Sequence, residues 1–205
     1  MVRPKVKICG ITNLEDALAA LFYKADALGF VFFKKSPRYI TLAKAANISR
    51  ILPKKILRVG VFVNANEAQV KKIARRCGLN ILQFHGKESP EFCLRFKGYK
   101  VVKAFRVGEN IDLRTIAEYK TYAYLFDAFV KGRAGGTGKR FDWNLLKKLD
   151  KIKRPVFLSG GLNSGNIRRA LQLARTDWVD LSSGVESSLG KKDHKKIKNF
   201  IAKIK

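Results

Sequence analysis

Short apolar runs recur along the chain at regular intervals, and each is about the length of one β-strand. Val, Ile, Leu and Phe dominate them, which is typical of parallel strands whose outer faces are covered by helices. The runs occupy residues 5–10, 27–33, 57–63, 81–86, 100–107, 123–129, 155–161 and 178–185.

The segments between these runs have the periodicity of amphipathic helices, and several carry helix-end signals. Asn13, Thr41 and Ser89 are candidate N-caps, Pro90 suits a first helical position, and Gly78 is suited to end a helix. Later helical patterns cover residues 110–119, 142–149, 163–174 and 192–204. Strand and helix therefore alternate eight times, without a break in composition.

This alternation predicts an α/β fold, specifically one (β/α)8 TIM barrel that takes up residues 1–205 as a single domain. A doubly wound open sheet is the alternative, but such sheets seldom need eight parallel strands in so short a chain. With 205 residues the barrel must be near its minimum size. We therefore expect short helices and loops.

The chain is strongly basic, with 43 Lys and Arg against 16 Asp and Glu and a net charge of +27. Such an excess can mark a nucleic-acid partner. The lysines are spread over the whole chain, however, and do not gather on one tail or one helix face. We therefore expect a solvated basic surface and no dedicated nucleic-acid partner.

Cysteine usage and hydropathy indicate the compartment. Cys9, Cys77 and Cys93 form no CxxC pair, which favours a reducing, cytoplasmic setting with neither a disulfide framework nor a zinc site. No apolar run approaches the roughly 18 residues of a membrane helix, and no apolar block follows the charged N-terminus. We expect no membrane association.

Residues with chemical potential fall where the strands of a barrel would end, which is where barrel active sites lie. They are Cys9, His85, Asp127 and the segments 159–161 (SGG) and 182–184 (SSG). A single buried cysteine more often serves packing, and a single aspartate is often a helix cap, so only their joint position on one rim suggests a site. The glycine-rich loops after strands seven and eight also predict a phosphate site.

Lys7 shares a strand face with Cys9, and in a barrel that face points inward. A charged lysine there needs a partner. We expect Asp180, because strand eight closes beside strand one. The alternative is that Lys7 reaches solvent at the bottom of the barrel.

Seven segments taken together carry a family resemblance. KICGIT, GFVFFKKSPRYI, VGVFVN, LQFHG, GGTGKRFDW, LSGGLN and VDLSSGVE occur in this order between about residue 5 and residue 200. In this respect the chain resembles the phosphoribosylanthranilate isomerases of tryptophan biosynthesis. The resemblance implies a (β/α)8 barrel that performs an Amadori rearrangement of a phosphorylated aminosugar, with no cofactor and no metal.

The resemblance also implies residue roles. Cys9 matches the family's general base, Asp127 its general acid, and Arg38 the arginine that holds the anthranilate carboxylate. The substrate-binding backbone matches Gly136, Gly160, Gly161, Ser183 and Gly184, with Lys7, His85 and Asp180 in support. The segment after Asp127 is atypical, and the high basic charge is not a family trait.

The residue types suit this chemistry. Opening the sugar ring needs an acid in its neutral form, which Asp127 can supply. Removing the C2 proton needs a base, and we expect the pKa of Cys9 to fall from about 8.5 towards neutrality beside Lys7.

Two other functions stay open. A related barrel isomerises an aminoaldose of the histidine pathway, but it uses two aspartates and two phosphate sites. A catalytically inactive RNA-binding barrel is suggested by the charge and opposed by the presence of Cys9, Asp127 and Arg38. We expect a monomer or a homodimer.

Overall fold

A computed structural model describes residues 3–106, 112–127, 152–173 and 176–204. Eight parallel strands close into a barrel in sequence order, with strand eight pairing to strand one. The barrel predicted from the sequence is thereby confirmed, and the open doubly wound sheet is wrong. The strands are β1 (Lys5–Cys9), β2 (Ala27–Val31), β3 (Leu57–Phe62), β4 (Ile81–Phe84), β5 (Lys100–Arg106), β6 (Ala123–Asp127), β7 (Val156–Ser159) and β8 (Trp178–Leu181).

The helices that the structure describes are short, as a barrel of this size requires. They are α1 (Leu14–Phe22), α2 (Leu42–Ile51), α3 (Glu67–Arg76), α4 (Pro90–Leu94), α5 (Leu113–Glu118), α6 (Ile167–Leu173) and α7 (His194–Ile204). In the described part of the chain, no helix is long and apolar enough to cross a membrane. The predicted helix at 142–149 lies outside the described residues.

The helix-end signals act as predicted. The side chains of Asn13, Thr41 and Ser89 each accept a backbone N–H from the first turn of the helix that follows. Pro90 opens α4, where its missing N–H costs nothing. Gly78 follows α3 with φ of +55°, the left-handed conformation that ends a helix most easily at glycine.

The inside of the barrel is filled below the rim. A buried cluster of inward-facing residues from seven of the strands forms a floor, and within it the rings of Phe157 and Trp178 stack at 4.8 Å. A second small cluster, Cys9, Val31 and Val61, lies in the barrel nearer the carboxyl ends of the strands. The rim at the carboxyl ends of the strands therefore lies above a packed apolar layer.

The segment after β8 differs from the prediction. The apolar run was expected to continue as a strand to residue 185, but β8 ends at Leu181 and a 3-10 helix covers Ser183–Val185. A two-stranded antiparallel hairpin follows, formed by β9 (Glu186–Ser188) and β10 (Lys191–Lys192). The sequence analysis did not foresee this hairpin, because its strands are too short and too polar to give an alternating pattern.

Candidate active site

Four of the predicted site residues come from different strands and occupy one rim. Cys9 and Asp127 are the last residues of β1 and β6, His85 directly follows β4, and Ser159 ends β7. The side chains of His85 and Asp127 are each 21% exposed, whereas Cys9 is buried. The rim thus presents a half-buried acid and imidazole together with a covered thiol.

Lys7 lies inside the barrel, two residues below Cys9, and is fully buried. Its Nζ lies 2.8 Å from Asp180 Oδ2 and donates to Gln83 Oε1 at 2.9 Å. Lys7 is also directly opposite Asp180 in the β1–β8 register. The predicted pair is confirmed, and the alternative of a solvated Lys7 is wrong.

Burial and nearby charges have opposite effects on the pKa of Cys9. Burial raises the pKa of the Cys9 thiol, Lys7 and Lys192 lower it, and the net direction is upward. The expected fall towards neutrality is therefore wrong, because desolvation of the thiolate outweighs the ammonium groups. For Lys7, burial lowers the pKa, but the nearby Asp180 and Cys9 raise it further, so Lys7 stays an ammonium.

Two glycines make room for these side chains. A Cβ on Gly29 would lie 2.8 Å from Cys9 Sγ and 3.1 Å from Lys7 Cε. Gly10, which follows Cys9, has φ of +77°, and a Cβ there would lie 2.7 Å from Arg38 Cδ. Because Gly10 has no side chain, the chain can turn directly after Cys9 and Arg38 can pack against Gly10.

Gln83 joins the supporting residues, and the sequence analysis missed it. Its Nε2 lies 3.1 Å from His85 Nδ1, and His85 Nε2 lies 3.4 Å from Asp127 Oδ2. The side chain of Gln83 is buried although it is polar. A polar residue two positions before His85, and so on the same inward face, was the available signal.

Arg38 is held by a carboxylate of the protein. Its Nε and Nη2 donate to the two carboxylate oxygens of Glu186, each at 2.7 Å. Lys192 Nζ donates to Glu186 Oε1 at 2.9 Å. Burial raises the pKa of Glu186, but Arg38 and Lys192 outweigh it, so its net direction is downward. The sequence analysis missed Glu186 as well, although it ends the VDLSSGVE segment.

The loops after β7 and β8 lie against each other. Gly160 and Gly161 have φ of +96° and +63°, while Ser183 and Gly184 lie in the 3-10 helix. A Cβ on Gly184 would lie only 1.9 Å from Leu162 O. The two glycine-rich loops therefore meet at the rim, and the backbone N–H groups of such loops can bind a phosphate. Gly136 lies outside the described residues.

A metal centre is not apparent in the described ranges, where no group of three or more His, Cys, Asp or Glu side chains is close enough to bind an ion. The absence of a metal and of a cofactor stays a prediction.

Comparison with known proteins agrees with this geometry. Residues 6–203 match the family model for N-(5'phosphoribosyl)anthranilate (PRA) isomerase. The N-(5'-phosphoribosyl)anthranilate isomerase of Thermotoga neapolitana is 48% identical over 202 residues, with 98% of each chain covered. The crystal structure of the Thermotoga maritima phosphoribosyl anthranilate isomerase superposes with a TM-score of 0.89 at 43% identity, again over 98% of both chains.

A further solved structure contains a ligand. It is a phosphoribosyl anthranilate isomerase in complex with reduced 1-(o-carboxyphenylamino)-1-deoxyribulose 5-phosphate, with a TM-score of 0.86, 41% identity and 98% of both chains covered. The barrel, the rim residues and matches that span nearly the whole chain lead to one assignment. The chain belongs to the N-(5'-phosphoribosyl)anthranilate isomerase family.

Proposed function

We propose that this chain converts N-(5'-phosphoribosyl)anthranilate into 1-(2-carboxyphenylamino)-1-deoxyribulose 5-phosphate, a step of tryptophan biosynthesis. The reaction interconverts an aldose and a ketose within one molecule. The observation that carries the proposal is the pair of reactive groups on one rim, Cys9 above the buried ammonium of Lys7 and Asp127 beside His85. Family membership supports the same reaction.

Asp127 acts as the general acid. In its neutral form it gives a proton to the ring oxygen of the aminosugar, the C1–O bond breaks, and the nitrogen lone pair forms a C=N bond. The product is a cationic imine, which makes the C2 proton acidic. A half-buried carboxyl group that ends a strand at the rim suits this role.

Cys9 acts as the general base. Its thiolate takes the C2 proton, and the electron pair neutralises the imine to give an enolamine, which becomes the ketone. One proton enters from Asp127 and one leaves to Cys9, so the step is an isomerisation. Burial raises the pKa of Cys9, and we infer that the positive charge of the imine stabilises the thiolate when the C2 proton is removed.

Arg38 binds the anthranilate carboxylate, and Glu186 decides which edge of the guanidinium does so. Glu186 occupies the edge formed by Nε and Nη2. Arg38 Nη1 has no hydrogen-bond partner among the described residues, and with Nη2 it forms a second fork suited to a carboxylate. The backbone around Gly160, Gly161, Ser183 and Gly184 binds the phosphate, together with Gly136.

Loss of the fluorescence of phosphoribosylanthranilate on addition of purified protein tests this function. Cys9→Ala and Asp127→Asn should each lower kcat by roughly two or more orders of magnitude, as expected when a general base or acid is lost. Cys93→Ala is a matched control, because Cys93 is a buried cysteine on helix α4 and not at the end of a strand. If either Cys9→Ala or Asp127→Asn kept near wild-type turnover, the proposed role of that residue would be refuted.

The same assay separates the other functions. A histidine-pathway isomerase would consume the aminoaldose of that pathway and leave phosphoribosylanthranilate unchanged. An RNA-binding barrel would consume neither and would bind RNA at physiological salt. Intact protein that behaves in either way contradicts the proposal.

The remaining expectations are part of the same proposal. The whole chain, residues 1–205, forms one domain that acts in the cytoplasm as a monomer or a homodimer, without a nucleic-acid or membrane partner. The three free cysteines support a reducing compartment.

A further inference from the structure

Five side chains form a continuous polar row across the mouth of the barrel. Asp180 contacts Lys7 at 2.8 Å, and Lys7 contacts Gln83 at 2.9 Å. Gln83 contacts His85 at 3.1 Å, and His85 contacts Asp127 at 3.4 Å. The row therefore connects the ammonium beneath the base to the carboxyl group of the acid.

Donor and acceptor chemistry fixes the direction of each contact. The Lys7 ammonium can only donate, so it must meet the carbonyl oxygen of the Gln83 amide. The NH2 group of that amide then faces His85 Nδ1, which must accept and cannot carry a proton. The remaining proton of a neutral ring lies on Nε2, which faces the carboxyl group of Asp127 at 3.4 Å.

We propose that Gln83 is a positioning residue that keeps His85 neutral, with its proton on Nε2, so that His85 donates to the Asp127 carboxyl group. The proposal rests on the proposed function for its kinetic consequence but not for its structural content. It implies that the ring of His85 carries no charge in its contact with Asp127, so that this contact is not an ion pair.

The backbone around His85 is held by hydrogen bonds that do not involve Gln83. The row of side chains therefore affects only the protonation and orientation of the His85 ring. His85 N donates to Phe62 O at 2.8 Å. Glu88 accepts from Gly86 N at 2.9 Å, and Lys103 donates to Gly86 O at 2.7 Å. Loss of the Gln83 amide should therefore change the protonation and orientation of the ring without moving its strand.

Nitrogen-15 NMR of the histidine rings tests the proposal directly. The chain has 2 histidines, and the second, His194, lies away from the row with its Nε2 at Asp16. His194→Gln assigns the two rings. In the wild-type protein at pH 8, we expect the His85 spectrum of a single neutral tautomer with the proton on Nε2. A proton on Nδ1, or a doubly protonated ring, would overturn the proposal without any variant.

Two substitutions then test whether Gln83 is the cause. In Gln83→Glu, a carboxylate oxygen replaces the NH2 group opposite Nδ1, so His85 should gain a proton on Nδ1 while the His194 spectrum stays unchanged. In Gln83→Leu, kcat should fall about tenfold or more, as for loss of an acid's positioning group, with a smaller change in KM. Gln69→Leu, an exposed position on α3, is the matched control.

The outcomes separate this inference from the proposed function. A neutral, unchanged His85 ring in Gln83→Glu would refute the role of Gln83 in setting the tautomer. Wild-type kcat in Gln83→Leu would refute the positioning role. Wild-type protein without isomerase activity but with the expected His85 tautomer would refute the function alone. The wild-type spectrum tests the His85 tautomer without any variant. The proposal can therefore be refuted even if a variant fails to fold.

Discussion

Individual residues inside this barrel carry charge where a packed core normally excludes it. Lys7 and Asp180 are nearly or fully buried, and Asp180 Oδ1 has no hydrogen-bond partner in the described part of the chain. Lys7 is therefore the main compensation for this carboxylate. A buried pair of this kind adds little net stability, but removal of one partner leaves an uncompensated charge.

Lys7→Met should lower the free energy of unfolding by about 3–5 kcal/mol, because Asp180 would remain buried without a partner. Lys7→Met with Asp180→Leu should cost less than the sum of the two single changes. A double-mutant cycle by denaturant unfolding measures this coupling. Strict additivity would mean that the two side chains do not interact.

Lys7→Met also tests whether Lys7 lowers the pKa of Cys9. Lys7 lowers the pKa of Cys9 against the larger effect of burial, so its loss should move the pH dependence of Cys9 alkylation to higher pH. Cys9→Ala gives the background from Cys77 and Cys93, whose pKa values burial raises to about 11 and about 12. An unmoved curve would mean that Lys7 does not support the thiolate.

At the scale of elements, the loops after β7 and β8 work as one unit. Gly184 approaches the backbone of Leu162 so closely that any side chain must push the two loops apart. The β9–β10 hairpin continues from this point and presents Glu186 to Arg38. The proposed contacts with the phosphate and with the carboxylate of the substrate therefore both depend on one segment after β8.

Gly184→Ala should weaken inhibition by inorganic phosphate about tenfold or more, the equivalent of one lost hydrogen bond to a charged group. Gly165→Ala is the matched control in the preceding loop, because its Cβ would meet only the side-chain oxygen of Asn163 at 3.1 Å. Inhibition constants from the fluorescence assay decide between them. Equal effects of the two substitutions would mean that phosphate binding does not depend on the close approach of Gly184 to Leu162.

The elements also show what the sequence can and cannot predict. All eight strands and the three tested N-caps were predicted, because burial on both faces and capping chemistry are local signals. The Lys7–Asp180 pair was predictable because barrel closure makes β1 and β8 neighbours. The bidentate contact between Arg38 and Glu186 was not, because it joins residues far apart in sequence whose approach only the folded barrel sets. The contact between Gln83 and His85 joins residues two positions apart on one strand face, and the sequence analysis missed it although that spacing was available.

For the whole molecule, the net charge of +27 remains without a structural role, but it has a consequence for encounter with an anionic substrate. A phosphate and a carboxylate are attracted to a basic protein over a distance that salt shortens. We therefore expect kcat/KM to fall as ionic strength rises, while kcat changes little. The charges nearest the rim should matter most.

The exposed residues Lys34 and Lys35 follow β2 at the rim, whereas the exposed residues Lys54 and Lys55 precede β3 at the opposite end of the barrel. Replacement of either pair by glutamine removes the same charge. Replacement of Lys34 and Lys35 should lower kcat/KM several-fold at low salt and make kcat/KM depend less on salt. Replacement of Lys54 and Lys55 should have little effect on either quantity. Stopped-flow measurement of kcat/KM across a salt series compares them. If both pairs had the same small effect, the charge would not guide the substrate to the rim, and the salt dependence would have to arise from Arg38 and the phosphate loops themselves.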